Sequence, residues 1–132
     1  MERTQEEKLI GGLTHIAVLF SWWGFIANIV LYILYRPKSQ FAARHVKQAL
    51  GLQVVVLVIG YLLATLFGVS LLGMGVGMHL AGVIGSVVVG LLILGLFWIG
   101  ALVLVILGAI HGFQGKEYRH PLIGAFVEKL AE

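Results

Sequence analysis

The chain has 132 residues, of which 60% are hydrophobic and only 11% charged; nine Lys and Arg against six acidic residues give a net charge of +3, and there is no cysteine. A soluble domain is roughly 25% charged, so this composition excludes a soluble fold and predicts an integral membrane protein, in line with the mean hydropathy of +1.02. The missing thiols exclude disulfide scaffolds, thiolate metal sites and cysteine nucleophiles, and the pI of about 9.5 comes from cations flanking apolar runs, which set topology rather than bind nucleic acid.

Residues 1–8 form a polar tail carrying Arg3 and Lys8 against Glu2, Glu6 and Glu7. The apolar run that follows is too long for a secretory h-region, and no cleavage site closes it. Residues 9–35 make the first apolar run, 49–72 the second and 80–111 the third, each longer than the roughly 20 residues a helix needs to cross a bilayer. Alternating strand periodicity is missing and three strands cannot close a barrel, so the runs are predicted to be three transmembrane helices. The third is long enough that its first residues, 80–85, are placed at the interface. Trp22 and Trp23 sit in the middle of the first run, although tryptophan favours membrane interfaces. The reading adopted is that they pack inside the bundle; the alternative is that residues 1–20 lie flat and a shorter span begins near Ser21.

Residues 36–48 form a basic linker with Arg36, Lys38, Arg44 and Lys47 and no acid. Residues 73–79 form an uncharged loop with Gly73, Gly75 and Gly77, read as a flexible turn rather than a phosphate-binding loop. Residues 112–132 form a tail with Lys116 and Arg119 close to the third run. Three spans put the linker and the tail on one face, predicted to be cytoplasmic, with the N-terminus outside. Gly60, Ala64 and Gly68 in the second run and Gly82, Ser86 and Gly90 in the third recur every four residues, the spacing that lets two helices approach closely. In the tail, Pro121 suits the first position of a helix, and Leu122, Ile123, Phe126, Val127 and Leu130 follow at helical spacing, predicting a short amphipathic helix on the membrane surface.

The densest polar cluster is Phe41, Arg44, His45, Lys47, Gln48 and Gln53. Arg44 and Gln48 share one helix face, and Gln53 lies in the apolar zone, where a buried amide needs a partner on another helix. Of the five histidines, His15 and His79 fall towards the outer side and His45, His111 and His120 towards the inner side. No two are spaced as helical metal ligands, and every Glu lies in or next to a tail, so no metal site is predicted and proton pumping has no carboxylate within the membrane. His15 and His79 remain candidate ligands for a haem or chlorophyll-type pigment. Neither paired core carboxylates nor a nucleophile with its base is present, so the chain is read as a non-enzyme.

The stretch from Phe41 through Arg44, His45, Lys47, Gln48 and Ala49 to Gln53 resembles the signature of a prokaryotic family of unknown function related to the twenty-kilodalton subunit of the chloroplast inner-envelope protein translocon. Leu13-Thr14-His15 is similar to that family's opening, and the segment Gly115 to Leu122, with Tyr118 and Pro121, to its closing pattern. An acidic residue usual before Phe41 is missing here, and Gly51 stands where the family often has Asn. The resemblance implies a small polytopic helical protein, with a translocation or conduit role by kinship. The residues themselves favour an accessory or scaffold subunit in a bacterial or archaeal cytoplasmic membrane. Its partners are then the bilayer, anionic lipids at the basic face, and other membrane proteins or further copies of itself.

Overall fold

The computed structural model describes residues 2–74 and 79–130. Its elements are α1 (Gln5–Ala17), a 3-10 turn (Val18–Phe20), α2 (Ser21–Tyr35), α3 (Gln40–Met74), α4 (Leu80–Phe113) and α5 (Gly124–Leu130). Three segments, Gln5–Tyr35, Gln40–Gly73 and Leu80–Phe113, are long and apolar enough to cross a membrane. With the short C-terminal helix they give the all-α membrane architecture that the composition predicts. Two compact units divide the chain: residues 1–54 with 102–132, and residues 55–101. All fifteen charged residues lie in the first; the second has none. Gly75 and Gly77 of the uncharged loop lie outside the described residues.

In the first unit, α1 begins with a capping box. The Thr4 hydroxyl accepts from the Glu7 backbone N–H, and the Glu7 carboxylate accepts from the Thr4 backbone N–H, so two orphan donors of the first turn are satisfied together. The helix ends at Ala17. After the tight turn Ser21 adopts φ +52°, a left-handed conformation that is costly for a residue with a Cβ. There the chain reverses. Thr14, whose hydroxyl donates to Asn28 Oδ1 at 2.6 Å, also accepts from Asn28 Nδ2 through its carbonyl at 3.0 Å. Asn28 Nδ2 also donates to Gln53 Oε1 at 3.2 Å, and Gln53 Nε2 donates to the Ser21 carbonyl at 2.7 Å. One asparagine and one glutamine, both fully buried, thus staple α1 to α2 and hold the strained turn. Each bond is net favourable by roughly 0.5–1.5 kcal/mol, against a strain of about 1–3 kcal/mol.

The first apolar run is therefore a hairpin. Its far ends meet where the Tyr35 hydroxyl donates to Glu6 at 2.6 Å and the Ser39 hydroxyl donates to Glu7. The 13 residues of α1 and 15 of α2 are about 20 and 22 Å long at 1.5 Å per residue, each shorter than a bilayer core of about 30 Å. This corrects two expectations. Trp22 and Trp23 do not pack inside a bundle; they are 66% and 81% exposed next to the turn. The N-terminus does not lie opposite the C-terminal tail: Arg3 pairs with Glu117 at 3.1 Å, because the reversal at Ser21 brings the start of α1 back to the tail.

α3 is N-capped by Ser39, whose hydroxyl oxygen accepts from the Ala42 backbone N–H. Its first half buries Phe41, Ala42, His45, Val46, Ala49, Leu52 and Gln53, one helical face at spacings of three and four. The last turns of α4 present Gly108 and Gly112 to α1. A Cβ on Gly112 would overlap the backbone of Gly11 and Gly12, so here two helix backbones touch. In the tail, Pro121 is not at a helix start: residues 121–123 form a turn, and α5 begins at Gly124, whose backbone N–H donates to the His120 carbonyl. Val127 packs on Gly51, while Leu122 and Phe126 stay exposed.

In the second unit, aromatic rings rather than facing backbones occupy the small-residue positions. Phe97 lies over Gly60, and Phe67 fills the space at Gly90 that a Cβ would need. Gly68 faces open space and Ala64 is exposed. Ser86 donates to the Gly82 carbonyl and Ser70 to the Leu66 carbonyl; both satisfy themselves within their own helix.

Candidate functional site

Three histidines from three elements converge inside the first unit. His15 of α1, His45 of α3 and His120 of the tail are 0%, 0% and 1% exposed. Their order follows from hydrogen-bond chemistry. The Lys116 carbonyl only accepts, so His45 Nε2, 2.9 Å away, carries the proton. His45 Nδ1 is then the acceptor, and His15 Nε2 donates to it at 3.2 Å. His15 Nδ1 is left as a bare lone pair over Gly108, whose missing side chain gives the ring its place. Tyr118 stacks edge-on against His15 and His120, with centroids at 5.6 and 4.8 Å, and touches His111 on its other side. Phe41 packs on His45 at 4.6 Å, with the Arg3 guanidinium above its ring at 4.8 Å.

Gln48 ties this knot to the tail. Its Oε1 accepts from the His120 backbone N–H at 3.2 Å, and its Nε2 donates to the Gly124 carbonyl at 3.4 Å. The buried side-chain atoms without a partner among the described residues are His15 Nδ1, both ring nitrogens of His120 and the Tyr118 hydroxyl, all in this one cluster. Burial, and secondarily the His45 ring, pushes the His120 imidazole down to about 4; burial also raises the Tyr118 phenol above its ordinary value. No three His or Glu side chains converge on a common metal position among the described residues.

The structure thus gathers Phe41, Arg44, His45, Lys47, Gln48, Gln53 and Tyr118 into the first unit, with Pro121 in the turn beside them. It also brings His15 to His45 and His120, correcting the assignment of His15 to the opposite side from them. His79 lies in the other unit, exposed at the start of α4, where its carbonyl accepts from the Gly82 and Val83 backbone N–H groups. His15 is enclosed by Gly108, His45, Tyr118 and His120. Sequence reading gave Thr14 no role beyond its place in Leu13-Thr14-His15, and missed Asn28 and the glycines at 11, 12, 108 and 112. Polar side chains recurring inside apolar runs were the available signal for Thr14 and Asn28.

Around the knot lies the charged end of the unit. Glu117 is shared by Arg3 at 3.1 Å and Arg44 at 3.7 Å, and Glu128 holds Arg119 at 3.3 Å. Arg44, Lys47 and Arg119 line an open cleft of about 500 Å³ with both carboxylates.

A family model described as the magnetosome magnetite crystal formation protein family matches residues 6–127, nearly the whole chain, and the chain belongs to that family. No curated protein and no solved structure matches it. The match corrects the resemblance to relatives of the chloroplast translocon. The residues that carried it, Phe41 to Gln53 and Gly115 to Leu122, fall within the matched span and serve here to pack the histidine knot against the tail.

Proposed function

We propose that, as a member of this family, the chain is a small non-enzymatic accessory or scaffold subunit of the membrane in which a magnetite crystal forms. One observation carries the reading: every charged residue belongs to one unit, in which both chain ends and the basic linker are knitted together, and residues 55–101 have none. By the preference of Lys and Arg for the cytoplasmic side, the nine cations place this end in the cytoplasm. α3 and α4 then cross the bilayer, and the α1–α2 hairpin, which belongs to the same unit as the charges, enters it from the cytoplasmic side. The carboxylates of the described residues share that cytoplasmic end with the cations, so the chain acts through membrane partners rather than by coordinating iron at the crystal surface. The translocation conduit loses its basis with the kinship that suggested it.

The test is a combined variant, Arg36→Glu, Lys38→Glu, Arg44→Glu and Lys47→Glu, produced in a magnetite-forming cell from which the native chain has been deleted. Deletion should change crystal size, the unaltered chain should restore it, and the variant should reach the membrane without restoring it, with altered orientation or a smaller complex in mild detergent. Crystals of unchanged size after deletion would overturn the proposal, as would full rescue by the variant.

A further inference from the structure

The charged cleft lies at a particular depth. Arg44 and Lys47 are the last cations of α3 before its apolar stretch, and α4 ends at Phe113, just ahead of Lys116 and Arg119. The cleft therefore sits where an apolar core gives way to water, the level of lipid headgroups. Arg44 and Lys47 are three residues apart and project from one face of α3, while Arg119 reaches in from the tail. The carboxylates do not cancel them. Three cations face two carboxylates: Glu128 holds Arg119, Glu117 divides its charge between Arg44 and Arg3 with the longer contact to Arg44, and Lys47 has no carboxylate partner among the described residues. The side chains of Arg44 and Arg119 are 64% and 56% exposed, so each planar fork keeps donors free for a second anion. In the same tail Leu122 and Phe126 expose 84% and 65% of their surface, a combination that is stable where acyl chains cover it.

We propose that this cleft binds a phosphate ester, the headgroup phosphate of an anionic phospholipid, between Arg44, Lys47 and Arg119, with the acyl chains lying along Leu122 and Phe126. Arginine forks match phosphate oxygens two at a time, and the bilayer supplies phosphate at this depth. The site rests on membrane embedding alone and not on the role in crystal formation.

The experiment uses the purified full chain in vesicles of phosphatidylcholine with or without phosphatidylglycerol, reading retained lipid by mass spectrometry after mild-detergent extraction. The unaltered chain should retain phosphatidylglycerol. The variant Arg44→Gln/Lys47→Gln/Arg119→Gln should retain at least about a hundredfold less, as expected when charge-assisted bonds from two guanidinium forks and an ammonium to one phosphate are lost, with its helical circular dichroism intact. Arg36→Gln/Lys38→Gln, which removes cations outside the cleft, should retain as much as the unaltered chain. An equal loss in both variants would overturn the site in favour of general surface attraction, and no retention by the unaltered chain would overturn it outright. Inorganic phosphate that raises the melting temperature of the unaltered chain but not of the cleft variant, without lipid retention, would overturn the lipid as ligand and leave a site for free phosphate. None of these readouts depends on orientation or on crystals.

Discussion

Gly112→Leu should separate α1 from α4 and destabilise the first unit by about 3 kcal/mol or more, at the upper end of what overpacking costs. The clash at this site is with backbone: a Cβ at position 112 meets the Gly11 carbonyl and the Gly12 nitrogen, which no side-chain rotation can clear. The consequence spreads, because α1 carries Thr14 to Asn28 and His15 to His45. Gly95 supplies the control. It lies in the same helix with nothing within 4 Å of its added Cβ, so Gly95→Ala should be neutral or stabilising by up to about 1 kcal/mol through helix propensity. Thermal unfolding in detergent reads both: a lower midpoint for Gly112→Leu and an unchanged or higher one for Gly95→Ala. Equal midpoints for the two variants would mean that α1 does not dock on α4.

Acidification should undock the tail. The His120 imidazole titrates at about 4 in its docked place against an ordinary value of 6.5, so the undocked tail binds the extra proton between those limits. Docking is then at full strength above about pH 6.5, weakens as the pH falls towards 4, and levels off below. A gap of this size corresponds to roughly 3 kcal/mol. The groups facing His120 are His15 from α1, His45 and Gln48 from α3, and Tyr118 from its own segment; none is a carboxylate, so a charge on this ring goes uncompensated. A spin label on Phe126→Cys should report a tail that is immobile at neutral pH and mobile at pH 4. In the His120→Leu background the gain in mobility between neutral pH and pH 4 should shrink and docking at neutral pH should be at least as strong, since both ring nitrogens of His120 lack partners and an apolar replacement strands none. A label equally immobile at both pH values in the parent would contradict this account.

Composition made the membrane class and the helical architecture legible, because 60% hydrophobic residues and 15 charged ones leave few alternatives. The polar residues of α3 were legible as a cluster, since a histidine and two amides leading into an apolar helix need partners. The reversal at Ser21 was not. Serine carries no signal for a left-handed conformation, and what holds it there is Gln53, 32 positions away. The polar groups at 14 and 28 acquire meaning only once the hairpin sets them face to face. One local signal was readable: Thr4 with Glu7 is a capping box, and it marks a helix start ahead of the apolar run. Positive charge was counted correctly, but its geometry depends on the hairpin, which brings Arg3 and Lys8 to the same end as the linker and tail. The translocon resemblance rested on short motifs. In the structure they hold a tail against a histidine knot, a packing role that carries no specific activity.

The hairpin is the central claim, and the absence of native cysteine makes it directly testable. Single cysteines at Glu2, Ser39, His79 and Lys129 are introduced in turn and labelled with a membrane-impermeant maleimide in sealed vesicles of known orientation. If the first apolar run turns back at Ser21, Glu2→Cys, Ser39→Cys and Lys129→Cys label from the same face and His79→Cys from the other. Labelling of Glu2→Cys from the face opposite Ser39→Cys would show that residues 5–35 cross the membrane as one span, and would contradict the account.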